Sequence, residues 1–172
     1  NIDGKTTKAR IVETECYIGP WDKAAHSYGG KRNGRCEIQF KEGGYAYIYL
    51  IYGMHSCFNI VTNKAEKPES VLIRAAEPVS GLDTMEERRK TTKRKMLLNG
   101  PGKLCQALGI NRSLYGEDLC GDLLYLEDDG YSPLPEEIEE SKRINIDYAE
   151  DAKDYLWRFT IKDNPYVSVK TK

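Results

Sequence analysis

From Lys8 to Tyr17 the chain alternates around Ile11, Thr14 and Cys16, and a two-residue period predicts a strand. The turn Ile2-Asp3-Gly4-Lys5 precedes it. Gly19 to Gly44 is rich in glycine and charge and reads as loop, with a short helix expected at Asp22–Ser27. Gly43-Gly44 opens the run Tyr45 to Tyr52, whose aromatic and branched side chains are strongly strand-forming. Gly53-Met54 is its expected turn, Ser56 to Val61 a returning strand and Val71 to Pro78 another. Leu82 to Leu98 predicts one helix with a basic surface, and Asn99-Gly100-Pro101 starts a second, Lys103 to Leu108, that Gly109 ends. Leu123 to Leu126, Arg143 to Ile146, Trp157 to Lys162 and Tyr166 to Val169 read as short strands, and acidic Pro135 to Glu140 as a solvated loop or short helix. Strands and helices without regular βαβ alternation predict a single compact α+β domain over residues 1–172.

Composition narrows the setting. With 172 residues, 40% hydrophobic and 31% charged, the chain can bury one core. No apolar run approaches the roughly 20 residues of a spanning helix, and nothing near Asn1 reads as a signal peptide. A cytoplasmic protein without a membrane partner is expected. The five cysteines are odd in number and dispersed without a CxxC pair, which suggests free thiols in a reducing compartment. His26, Cys36, His55 and Cys57 lack the paired spacing of metal ligands, so no metal is expected.

Two clusters carry candidate chemistry. Tyr45, Tyr47 and Tyr49 share a strand face and Tyr52 sits at its end beside a glycine turn. The face packs on the core, or it is a stacking platform for nucleobases with an aromatic wedge at the hairpin tip. Glu13 and Glu15 also share a face, about two residue rises or roughly 6–7 Å apart. They form an exposed charged strand face, or they include a general base, with Tyr17 alongside and His26 arriving from the next loop.

The combined string, Ile11-Val12-Glu13-Thr14-Glu15-Cys16-Tyr17-Ile18-Gly19-Pro20, then Asp22 and Ala24-Ala25-His26-Ser27, closely resembles the signature of the alkyladenine, or 3-methyladenine, DNA glycosylases. The resemblance continues through Tyr47-Ile48-Tyr49-Leu50-Ile51-Tyr52-Gly53-Met54, Cys57-Phe58-Asn59-Ile60 and Leu72-Ile73-Arg74-Ala75-Ala76-Glu77-Pro78. It resumes at Gly100-Pro101-Gly102-Lys103-Leu104-Cys105-Gln106-Ala107-Leu108, Trp157-Arg158-Phe159 and Asn164-Pro165-Tyr166-Val167-Ser168. It implies a curved antiparallel sheet with surrounding helices and a protruding hairpin. It also implies a monomeric, monofunctional enzyme of base excision repair, without metal or cofactor, whose partner is double-stranded DNA containing damaged purines. In that family pattern Glu15 matches the water-activating base. Tyr17, Ala24, His26 and Tyr49 match the pocket for the flipped base, and Asn59 the residue that crowds the 2-amino group of guanine. Tyr52 matches the side chain that fills the vacated stack, and Arg74 a residue near the target phosphate and sugar. The competing reading is a non-catalytic binder of damaged or structured nucleic acid that keeps the pocket.

Departures from the pattern are Asn33-Gly34-Arg35-Cys36, Gln39 in place of a methionine expected beside Tyr52, and His55 where some relatives carry an aromatic ring. Part of the family's usual N-terminal segment is expected to be missing before Ile11. The net charge of −1 disfavours DNA until it is divided. Residues 1–112 hold 19 basic and 12 acidic side chains, a balance of +7, and residues 113–172 hold 7 and 15, a balance of −8. Every implied pocket residue lies in the basic part. Arg88 to Lys95 and Lys103 are the expected phosphate grip, and the acidic part is expected to face away from the duplex. The lysine-rich chain reads as bacterial, hence cytoplasmic and nucleoid-associated; in a eukaryote it would be nuclear.

Overall fold

The computed structural model describes residues 1–170. Six strands, β1 (Lys8–Ile18), β2 (Ala46–Ile51), β3 (His55–Thr62), β4 (Glu69–Ser80), β5 (Ile138–Ser141) and β6 (Arg158–Ile161), form one open antiparallel sheet in the order β2-β3-β4-β1-β6-β5. β1 runs along β4 from Lys8↔Ser80 to Ile18↔Glu69, with register shifts at Ile11/Glu13 and Glu13/Thr14. Such bulges re-aim side chains.

Alternate residues of a strand point to opposite faces, and here the faces differ in chemistry. Ala46, Ile48, Phe58, Ile73 and Ala76 join the main apolar core with Met85, Leu97, Leu98, Leu104 and Ala107. The last five come from α1 (Leu82–Arg89), α2 (Pro101–Leu108) and the segment between them; α2 packs on β3 and β4, and α1 on α2. The other face carries tyrosines, glutamates and Arg74. The fold is α+β, as expected.

Leu82 to Leu98 is not one helix. α1 ends at Arg89, Lys90 takes a left-handed conformation (φ 52°), and a single turn at Arg94–Met96 precedes Leu97 and Leu98. On one straight helix Leu97 and Leu98 would lie about 120° and 220° around the axis from Met85. All three are fully buried, which one helix face cannot achieve. α2 follows its sequence signals more closely, with Pro101 in its first turn and Gly109 (φ 77°) at its end.

Other expectations fail for identifiable reasons. Asp22–Ser27 is a chain of turns, because the Asp22 carboxylate accepts from the Ala24 amide at 2.9 Å and holds the loop. Arg143 to Ile146 and Tyr166 to Val169 are not strands. The Ile144 amide donates to Glu15 and the Ser168 amide to Glu13, so these donors serve buried carboxylates instead of a ladder. Leu123 to Leu126 makes no strand either; its apolar side chains line a cavity of about 460 Å³ with Ile11, Ile73 and Leu104. The acidic stretch contains β5, an edge strand paired with β6, where exposed charge suits an unpaired edge.

Candidate active site

The site is built across the polar face of the sheet. The registers Glu15↔Leu72, Leu72↔Asn59 and Asn59↔Tyr47 place these four residues in one row over four strands. At about 4.8 Å per strand the row spans roughly 14 Å. Glu13 and Glu15 do not form an exposed face. They are 1% and 0% exposed, and a buried carboxylate is tolerated only when paired and hydrogen-bonded.

Both are. Glu15 Oε2 accepts from the Tyr17 hydroxyl at 2.8 Å and from Arg74 Nη1 at 3.4 Å, and its Oε1 accepts from the Ile144 amide at 2.7 Å. Glu13 Oε1 accepts from Arg74 Nε at 3.0 Å, Arg158 Nε at 2.8 Å and the Ser168 hydroxyl at 2.8 Å; its Oε2 accepts from the Ser168 amide. Burial pushes the Glu13 carboxyl up, but the Ser168 amide and the two guanidiniums outweigh it and hold Glu13 below the ordinary range. Burial also works against the charge on Arg74, and Glu15 and Glu13 overcome it. Burial and the Glu15 charge push Tyr17 well above the usual phenol range, so it acts as a neutral donor.

The loop after β1 brings in the next residues. Gly19 packs so tightly that a Cβ there would sit 2.1 Å from Ser27 Oγ and 2.9 Å from the Pro68 carbonyl. Asp22 is gripped by both Nη atoms of buried Arg143, at 2.5 and 2.8 Å. The same guanidinium lies over the Tyr17 ring at 4.8 Å. His26 Nδ1 lies 2.5 Å from the Tyr47 hydroxyl, and its ring meets Tyr49 edge-on at 4.7 Å. Burial, with Arg35 nearby, lowers the His26 pKa to about 4.

These parts line a cleft of about 960 Å³. Tyr17, Ala24, His26, Tyr49, Asn59, Tyr52, Arg74 and Lys103 all reach it, and Glu15 lies directly behind Tyr17 and Arg74. Asn59 is buried, its amide nitrogen donating to the Tyr47 carbonyl at 3.2 Å. Tyr52 heads the β2–β3 turn, 85% exposed with φ 53°, beside Gly53 and the 73% exposed Met54. Lys103, in the first turn of α2, bonds Asn99 Oδ1 at 3.0 Å. Gln39 is buried and donates to Ser70 Oγ at 2.9 Å, away from the exposed hairpin tip.

The charge division holds in a changed form. The cleft lining includes Arg35, Arg74, Arg89 and Lys103 and, among the described residues, no Asp or Glu. The acidic half nevertheless supplies Ile144 to Ile146, Tyr148, Ser168 and Val169. Its carboxylates are engaged elsewhere, as in Lys8–Glu127, Arg10–Asp129 and Lys23–Asp151. In the basic run, Arg88 and Arg89 are clasps rather than a free grip. Arg88 donates to the Ala107 and Ile2 carbonyls, and Arg89 to those of Leu97 and Met96. Lys90, Lys93, Arg94 and Lys95 are the exposed cations of the run. Sequence reading missed Arg143, Ile144 and Ser168. Their signal was a backbone amide or guanidinium brought more than 120 residues along the chain to an early carboxylate.

Among the described residues, no group of three or more His, Cys, Asp or Glu side chains is gathered to hold a metal, and no helix is long and apolar enough to cross a membrane. The family model of methylpurine-DNA glycosylase matches residues 1–165. A protein of Desulfitobacterium hafniense (strain Y51) named "Putative 3-methyladenine DNA glycosylase" is 51% identical over 98% of this chain and 86% of its own length. Proteins of the same name from Natranaerobius thermophilus and Alkaliphilus oremlandii are 50% and 52% identical, with 98% of this chain and 86% and 87% of their own lengths covered. The aromatic cleft, the buried glutamate behind it and the whole-length match agree: the chain belongs to the methylpurine-DNA glycosylase family, enzymes that hydrolyse N-glycosidic bonds in DNA.

Proposed function

We propose that the protein, acting as a monomer, excises damaged purines of the 3-methyladenine, 7-methylguanine, hypoxanthine and ethenoadenine class from duplex DNA, leaving an abasic site. The observation that carries this reading is Glu15, a fully buried carboxylate bonded by Arg74 and the Tyr17 hydroxyl, which line the aromatic cleft in front of it. A base inside a duplex hides its glycosidic bond, so the nucleotide leaves the stack at a cost of a few kcal/mol. Tyr52, exposed at the cleft mouth, offsets part of that by filling the gap. The extruded base enters the cleft against Tyr17, His26 and Tyr49, where stacking contributes about 1–3 kcal/mol per ring. Asn59 screens substituents at the purine 2-position.

The bond between the sugar C1′ and the base nitrogen then breaks, its electron pair leaving with the purine, and positive charge grows on the sugar. Water attacks C1′ and gives its proton to Glu15, whose carboxylate also stabilises the growing charge. Arg74 and the exposed cations near Lys95 hold phosphates. Protonation of a neutral leaving group has no ready donor here. His26, with its pKa near 4, is neutral at pH 7, and burial drives Tyr17 and Tyr49 far above neutrality. Cationic purines, which leave as neutral bases, are therefore the favoured substrates, ahead of hypoxanthine. Duplexes carrying single defined lesions, incubated with the protein and then heated, test this. Strand breaks at 3-methyladenine or 7-methylguanine sites, faster than at hypoxanthine, are expected. Tight lesion binding without breaks would overturn the catalytic reading.

A further inference from the structure

We propose that Glu13 is a positioning residue for the hydrolytic step. In this role it fixes Arg74 and the Ser168–Val169 segment around Glu15. The inference rests on the reading of Glu15 as the water-activating base and adds a second carboxylate to it. The geometry is asymmetric. Arg74 Nε is 3.0 Å from Glu13, whereas its Nη1 reaches Glu15 only at 3.4 Å. Glu13 is itself held by Arg158 and by the amide and hydroxyl of Ser168. It therefore ties β1, β4, β6 and the segment at Ser168 to one point, and Arg74, Ser168 and Val169 all line the cleft.

The titratable groups that sense Glu15 are Cys16 and Tyr17 on β1, Tyr49 on β2, Cys57 on β3, Arg74 on β4, and Arg143 and Tyr148 from the acidic half. Tyr17, Tyr49 and Tyr148 are raised, chiefly by burial, and Cys57 is pushed up to about 11. None of these four changes charge at the acidic end of the pH range. The charges acting on Glu15 there are Arg74 and Arg143, opposed by Glu13. Neutralising Glu13 removes the second carboxylate that Arg74 bonds and leaves its guanidinium to Glu15 alone. The guanidinium is then no longer held in the orientation that the two carboxylates share.

The test is Glu13→Gln, measured by single-turnover base release from a 7-methylguanine duplex, with lesion-duplex affinity measured in parallel. The expected result is a rate about tenfold to a hundredfold lower and affinity within about threefold of wild type. Glu13→Asp, which keeps the carboxylate, should restore most of the rate. A rate within about threefold of wild type, or a loss of affinity as large as the loss of rate, would overturn the proposal. If Glu13→Gln does not fold, Ser168→Ala decides: a severalfold lower rate at unchanged affinity is expected, and a wild-type rate overturns it. Glu15→Gln separates the two readings. If that variant still releases base, the assignment of Glu15 falls; if it is inactive while Glu13→Gln keeps the wild-type rate, only the role of Glu13 falls.

Discussion

The cleft floor and the hairpin tip lie at two ends of one site, and they are built on opposite physical terms. Just beneath the floor, Glu13 and Glu15 are sealed from solvent and each accepts at least three hydrogen bonds, most of them from distant parts of the chain. At the tip, Tyr52 and Met54 stand in water on a three-residue turn. The floor is assembled by folding and held before any substrate arrives, as electrostatic stabilisation of a reacting centre requires. The tip gains contacts only when DNA supplies them. Changes at the floor should therefore cost stability or chemistry, and changes at the tip should cost binding alone.

The contrast breaks most sharply at the Asp22–Arg143 pair. Removing one partner of a buried pair leaves an uncompensated charge, so Arg143→Met is expected to lower the urea-unfolding free energy by about 3–5 kcal/mol. A loss below 1 kcal/mol would mean the pair does not hold the loop of Ala24 and His26. Acid provides a second, smaller separation. His26 is depressed to about 4 from an ordinary value of 6.5, so between those pH values the unfolded chain takes up a proton that the native ring refuses. Stability is then present above pH 6.5 and declines as pH falls towards 4, with a further loss below the usual carboxylate range as Glu13 is protonated. Thermal midpoints against pH should show this slope for wild type and for Tyr52→Ser alike, and a flatter one for His26→Asn.

Tyr52→Ser should weaken lesion-duplex affinity about tenfold, within the range for one lost stacking contact, and leave the thermal midpoint unchanged. A drop in midpoint would show that the tip also supports the fold. The smallest change is expected from Asn59→Gly. It should leave release of 7-methylguanine nearly intact and admit undamaged guanine slowly, as read by free-base chromatography; an unaltered profile removes the steric filter.

Those differences also explain how much was legible in the sequence. Alternation carried β1 to β4 and the hairpin, because local patterning decides which side chains face the core. It placed Glu15, Tyr17, Asn59 and Tyr49 on usable faces. Family likeness assigned their roles. Burial of the two glutamates was not legible, since the signal for it lies in their partners. Ile144 and Ser168 sit in stretches that resemble strands, yet their amides are diverted to carboxylates near the start of the chain. The break after Arg89 was hidden in the same way, because only the packed core makes Met85, Leu97 and Leu98 compete for one side. The charge split into +7 and −8 was a sound guide to the sign of the cleft. It was a poor guide to which half builds the floor.

Glu15→Gln on a duplex containing 7-methylguanine tests the central claim most directly, with base release and duplex affinity measured on the same preparation. General-base loss is expected to slow release by a factor on the order of 100 to 10,000, with lesion affinity kept within a few-fold. Release at the wild-type rate would contradict Glu15 as the group that activates water.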